Sequence, residues 1–156
     1  MRTTRVLPIA LASALALAST GCGSGFERDE PQTAARDFLS DVLATNNGQR
    51  ACDFMTQRAQ RIFAGDQPGA SCREVIERAQ LVGDGDELRV DTTGEVKDLE
   101  YSTEKSGEDK AVVTVKTNGG PTLRLTLAHS EGLGNLYEAP TPWRITGGAE
   151  PLIKGS

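Results

Sequence analysis

Three hydrophobic patterns succeed one another along the 156 residues. A mostly apolar run from Val6 to Ala18 follows Arg2 and Arg5 and closes in Ser19-Thr20-Gly21-Cys22. Between Pro31 and about Leu81 the apolar residues recur at steps of three and four, the period of one buried helix face. From Leu81 onward they alternate with polar residues, the period of a strand with one face buried.

The first helix is expected to open at Pro31, a proline at a first helical position behind Asp29 and Glu30 at the positive helix end. Ala34, Ala35, Phe38, Leu39, Val42 and Leu43 form its inward stripe, and Asn46-Asn47-Gly48 stops it. Arg36, Asp37, Ser40 and Asp41 fall on the other side and read as a solvated face, not as a metal site. A second helical stretch turns Ala51, Cys52, Met55, Ala59, Ile62 and Phe63 inward, with Thr56 placed to cap a new turn and split it. Asp66-Gln67-Pro68-Gly69 breaks that stretch. Ser71-x-x-Glu74 then reads as a capping box, opening a third helix to about Leu81 with Val75, Ile76 and Ala79 inward.

Alternation follows at Leu88 and Val90, Leu99 and Tyr101, Val113 and Val115, Leu123 to Leu127, and Trp143 and Ile145. Turn signals at Ser106–Asp109, Asn118–Pro121 and Gly132–Asn135 separate these runs, and Asn118-Gly119 is a strong hairpin signal. The charged stretch Glu95–Lys110 alternates in sign and suits a solvated hairpin. Helices first and hairpins afterwards predict an α+β domain over residues 31–150, three helices lying on one face of an antiparallel sheet. Residues 151–156 are expected to form a loose tail.

The N-terminal segment has the charged, apolar and small-residue regions of a secretion signal. Its 13-residue apolar run contains Pro8 and is shorter than the roughly 18–20 residues of a permanent membrane span. The closing Ser-Thr-Gly-Cys reads as a lipobox, although Ser19 stands where that motif usually has leucine. On this reading residues 1–21 are removed, and Cys22 is diacylglycerylated and becomes the new N-terminus. The alternative is an ordinary secretory signal cut near Ser19 or Gly21, which leaves Cys22 a free thiol. Two acyl chains hold a protein at a membrane where one is marginal. The expected location is therefore the extracytoplasmic face of the cell membrane. Residues 22–30 are the lipidated cysteine and a short polar linker, whose eight residues after Cys22 reach about 28 Å at most.

Cleavage before Cys22 leaves 135 residues, one domain able to bury a core. It also removes two arginines, so a formal charge of −5 becomes −7, from 15 basic and 22 acidic residues. An acidic chain with no basic run and few aromatics is a poor partner for nucleic acid or anionic lipid headgroups. With Cys22 acylated, Cys52 and Cys72 remain, most simply as one disulfide in an oxidising compartment. The functional alternative, a redox or metal-binding pair, lacks the C-x-x-C spacing and has only His129 to draw on.

The order of elements resembles the nuclear-transport-factor-2-like fold (SnoaL-like, cystatin-like) and, more narrowly, small actinobacterial lipoproteins of that shape. The residues that carry the resemblance are Pro31-x-x-Ala34-Ala35-x-x-Phe38-Leu39, Ala51-Cys52, Thr56-x-x-Ala59, Ser71-Cys72 and Trp143-Arg144-Ile145. It covers about residues 30–148 and implies a strongly bent sheet wrapped around the first helix, a cone with a mouth. The resemblance implies a pocket there, and the candidate lining is Phe38, Tyr101, Leu125, Tyr137 and Trp143. Relatives of this shape include isomerases, dehydratases and cyclases as well as noncatalytic modules, and many dimerise through the open sheet face. A homodimer is thus an expectation by analogy.

No residue pattern supplies the acid–base pair such enzymes need. His129 continues the Leu123–Leu127 alternation or hangs at its end, and reads as a surface or packing residue. Tyr101 and Tyr137 read as core or rim, with no Asp placed beside them. Asp84-Gly85-Asp86-Glu87 lacks the spacing of a calcium loop and reads as a tight acidic turn. No catalytic residue, metal or cofactor is therefore assigned. The expected function is a noncatalytic binding or interaction module at the cell envelope, with an envelope protein or a small apolar molecule as ligand. The alternative is an isomerase- or dehydratase-like enzyme acting on a small apolar molecule in the cone.

Overall fold

The computed structural model describes residues 30–65, 69–78, 93–116, 122–130 and 141–152. The secretion signal with Cys22, the 84–87 turn, the Leu88–Val90 alternation, the 118–121 and 132–135 turns and Tyr137 lie outside the described residues.

Helix α1 (Pro31–Leu39) has Pro31 at its start and buries Ala34, Ala35, Phe38 and Leu39, the stripe its period predicts. It runs on into a π-helical turn (Ser40–Ala44), where the Thr45 amide reaches back five residues to the Ser40 carbonyl at 3.1 Å. Asn46 then adopts φ 48°, a left-handed conformation that Asn tolerates, and the helix stops. Helix α2 (Gly48–Asp53) is capped by the Asn47 side chain, which accepts from the Arg50 amide at 3.1 Å.

Thr56 divides the second helical stretch as expected: its hydroxyl accepts from the Ala59 amide at 3.2 Å and starts α3 (Gln57–Ala64). Ile62 departs from expectation, because it is 48% exposed. The break at Thr56 restarts the helical phase, so an inward set counted from Ala51 does not carry through. Ala59 and Phe63, one turn apart, set the buried line of α3, and Ile62 lies about 100° off Phe63. Phe54 and Ala64 are buried as well.

Helix α4 (Cys72–Arg78) opens on the capping box. The Ser71 amide donates to the Glu74 carboxylate at 3.2 Å, and the Glu74 amide donates to the Ser71 hydroxyl at 3.2 Å. α4 packs closely on α2. A Cβ on Gly48 would stand 2.5 Å from the Arg73 carbonyl oxygen, so only glycine allows this approach. One turn further along α2, Cys52 bonds to Cys72. Helix α5 (Thr93–Asp98) was not expected. It buries a single side chain, Val96, and six residues with one apolar contact show no period to read. It occupies the start of the stretch assigned to a charged hairpin, which is confined to the strands that follow.

Strands β1 (Glu100–Lys105), β2 (Lys110–Lys116), β3 (Leu123–His129) and β4 (Trp143–Gly147) form one antiparallel meander in the order β1-β2-β3-β4. The β1–β2 turn falls on Ser106–Asp109, with Gly107 at φ 74° and the Ser106 amide on the Lys110 carbonyl at 2.8 Å. Alternation sends Ala111, Val113, Val115, Leu123, Leu125, Leu127, Trp143 and Ile145 to one face, all 3% exposed or less. α1 lies against β1, β2 and β4 on that face. The free edge of β4 is partly closed by the chain between α2 and α3. Ile145 donates to the Phe54 carbonyl at 2.8 Å and accepts from the Thr56 amide at 2.9 Å.

Beyond β4 the chain crosses the β3 backbone at Gly148 and ends the described fold in a 3-10 turn (Glu150–Leu152). Leu152 is fully buried, so the hydrophobic core extends at least to residue 152, and residues 153–156 of the expected tail lie outside the described residues. An isolated leucine in a short Pro- and Gly-containing end gives no periodic signal, and its burial depends on where β4 delivers it.

Candidate functional site

The side chains proposed for a pocket divide into three groups. Phe38 and Leu125 are fully buried and Trp143 is 2% exposed, and all three belong to the hydrophobic core. Tyr101 is half-buried and packs against that core, whereas Tyr137 lies outside the described residues. The Tyr101 hydroxyl donates to the Val96 carbonyl at 2.6 Å. Burial pushes its phenol well above the ordinary 10.0, so it is a neutral donor committed to tying β1 to α5. His129 ends β3 with its ring edge-on to Trp143, centroids 5.1 Å apart, and reads as a packing residue.

The polar side of the first helix departs from expectation at Asp41, which is only 4% exposed. A helical wheel locates the face turned to the sheet but is blind to what covers the flanks. Here α2 and α5 both pack on the π turn that carries Asp41. Arg50 reaches over from α2 with Nε 3.4 Å from Asp41 Oδ2, and the Thr45 hydroxyl stands 3.4 Å from Oδ1. Burial raises the Asp41 carboxyl above its ordinary 3.8 and outweighs the pull of the largely exposed Arg50. Asp37, one turn earlier, is raised for the same reason, against the opposing charges of Arg36, Lys97 and Arg50.

A raised carboxyl binds its proton more tightly folded than unfolded, so folding is favoured as pH drops from neutral toward 3.8 and that gain is lost as pH rises. Asp41→Asn is therefore expected to reduce the rise in melting temperature between pH 7 and mildly acidic buffer. Equal pH slopes for the two proteins would show that Asp41 is solvated.

Cys52 and Cys72 form a disulfide with Cα atoms 6.2 Å apart, and both residues are buried. The Met55 sulfur lies 3.8 Å from that of Cys72. Cys72 also lines an open cleft of about 630 Å³ between α3 and the start of α4, together with Gln57, Gln60, Arg61, Ala64 and Ser71. The Gln60 amide group is fixed there, donating to the carbonyls of Cys52 at 2.7 Å and Met55 at 3.3 Å. The sequence does not single out this cleft, because Gln57, Gln60 and Arg61 lie off the apolar stripe of α3 and carry no motif. Only the approach of α4, enforced by the disulfide and Gly48, gives that side an opposing wall. Among the described residues no three His, Cys, Asp or Glu side chains converge as a metal site would require.

The described residues define an α+β domain in which a set of helices precedes a four-stranded antiparallel meander. No known family model, no curated protein and no solved structure matches the chain.

Proposed function

We propose that this protein is a lipid-anchored lipoprotein of the extracytoplasmic membrane face, and that its domain is a noncatalytic binding module of the nuclear-transport-factor-2-like, cone-shaped kind. The observation that carries the reading is the Cys52–Cys72 disulfide. A buried disulfide belongs to a chain that folds in an oxidising compartment. It also leaves Cys22, at the end of the lipobox, as the one cysteine outside the pair. The cone draws support from the lie of α1 against β1, β2 and β4. Phe38, Leu125 and Trp143 are shut from solvent, which favours an envelope protein over a small apolar molecule as the ligand. The enzyme alternative would need a buried acid or base. Asp41 is the buried ionisable side chain among the described residues, and it faces Arg50 and Thr45, not an open mouth.

Labelling of cells with a radioactive fatty acid, followed by membrane fractionation, tests the anchor. The unmodified chain is expected to take up label and sediment with membranes. Cys22→Ala is expected to lose the label and to change its processing or leave the membrane pellet. Identical labelling and fractionation of the two chains would remove the anchor from the proposal.

A further inference from the structure

We infer that the outer face of the sheet is a docking surface for the anionic phosphate headgroups of the membrane, an inference that rests on the anchored reading above. The formally charged side chains of β2, β3 and β4 are Lys110, Lys116, Arg124 and Arg144, and these three strands contain no Asp or Glu. The alternation that buries the valines and leucines sends all four cations to the opposite face. Lys110 is opposite Ala128, and Ala128 is opposite Arg144, so one row of the face spans three strands with a cation at each end. The mature chain of the anchored reading carries −7 and is repelled by anionic headgroups as a whole, so contact with them falls to this face, whose strands β2, β3 and β4 carry the opposite sign.

The surrounding charges leave the face cationic. Glu100 and Glu104 lie on the same side of the edge strand β1, and Glu100 is paired with Lys116 at 2.8 Å. Arg144 donates to the carbonyls of Thr141 and Trp143, which orient it. Lys110 and Arg124 are exposed and form no ion pair among the described residues. Between the cations the face shows Val112, Thr114, Thr126 and Thr146, with no bulky apolar side chain to insert. Such a face rests on headgroups without entering the acyl region.

The tether selects this occupant. The first described residue is Glu30, whose carboxylate pairs with Lys105 at the end of β1 at 2.9 Å. Glu30 is the eighth residue after Cys22, about 28 Å of chain at full stretch. A membrane within that reach meets the face at high effective concentration, so a few weak charge contacts suffice to orient the domain.

The test uses the mature chain, residues 22–156 carrying Cys22→Ala, so that neither an acyl chain nor the apolar signal segment contributes. Its sedimentation is measured with vesicles of phosphatidylcholine alone and of phosphatidylcholine mixed with phosphatidylglycerol. Stronger binding to the phosphatidylglycerol vesicles, lost at high salt, is expected. Lys110→Gln and Arg124→Gln should each weaken it roughly fivefold. Lys105→Gln, which removes a cation that is already paired with Glu30, should leave it unchanged. Melting curves verify that each variant is folded. Equal binding to both vesicles, no effect of Lys110→Gln and Arg124→Gln, or an equal effect of Lys105→Gln would overturn the inference. So would capture by soluble polyglutamate without binding to vesicles, which would assign the face to an acidic polypeptide. Failure of the anchor itself is read separately, from fatty-acid labelling at Cys22.

Discussion

Gly148→Ala is expected to destabilise the domain by about 3 kcal/mol, the sum of a left-handed conformation forced on a Cβ-bearing residue and an overpacked crossing. Gly148 has φ 87°, and a Cβ there would stand 1.9 Å from the Arg124 carbonyl oxygen and 2.9 Å from its carbon. Backbone cannot swing aside as a long side chain can. Relief must therefore come from lifting the chain after β4 off β3, which pulls Ala149 and Leu152 out of the core. Gly107→Ala is the internal control, because Gly107 has φ 74° but nothing within 4 Å of an added Cβ. It should cost only about 1–2 kcal/mol for the left-handed conformation. Denaturant unfolding of both variants measures the difference, and equal losses would mean that the Gly148 crossing is not tight.

Cys52→Ser should lower stability by about 3 kcal/mol, the chain-entropy value for a cross-link spanning 20 residues. It should also free the Cys72 thiol. The effect is concentrated on the α2–α4 contact, where Gly48 allows main-chain approach and the disulfide holds it. Reductant should therefore destabilise the unmodified protein and leave the variant unaffected. A melting temperature of the unmodified protein that ignores reductant would show that the bond adds nothing to the fold. The Arg61–Ser71 cleft should widen when the bond is lost, because one of its walls is the start of α4, which the bond holds to α2.

Features governed by local rules were legible in the sequence. Thr56 and the Ser71–Glu74 box each satisfy helix-start amides within three residues, so the type and spacing of residues suffice. The inward faces of β2, β3 and β4 follow from a strict two-residue period. Where burial came from a neighbour distant in sequence, the pattern was silent or misleading. Asp41 sits on a polar flank that α2 and α5 cover. Ile62 lies in an apolar position that α3 turns outward. Leu152 belongs to a segment with no period at all.

By itself, then, the sequence determined the caps, the alternation and the α+β order of elements, because each depends on near neighbours, and setting Cys22 aside at the lipobox left Cys52 and Cys72 as the pair that the structure joins. Tertiary structure alone decided which surfaces face each other. It turned an unremarkable amphipathic helix into the wall of a cleft and buried a carboxylate under Arg50. It also gathered Lys110, Lys116, Arg124 and Arg144 from three strands onto one face of an acidic chain. The physical reason is that strand parity and register add charges in space, whereas no short window of the sequence holds more than a fraction of them.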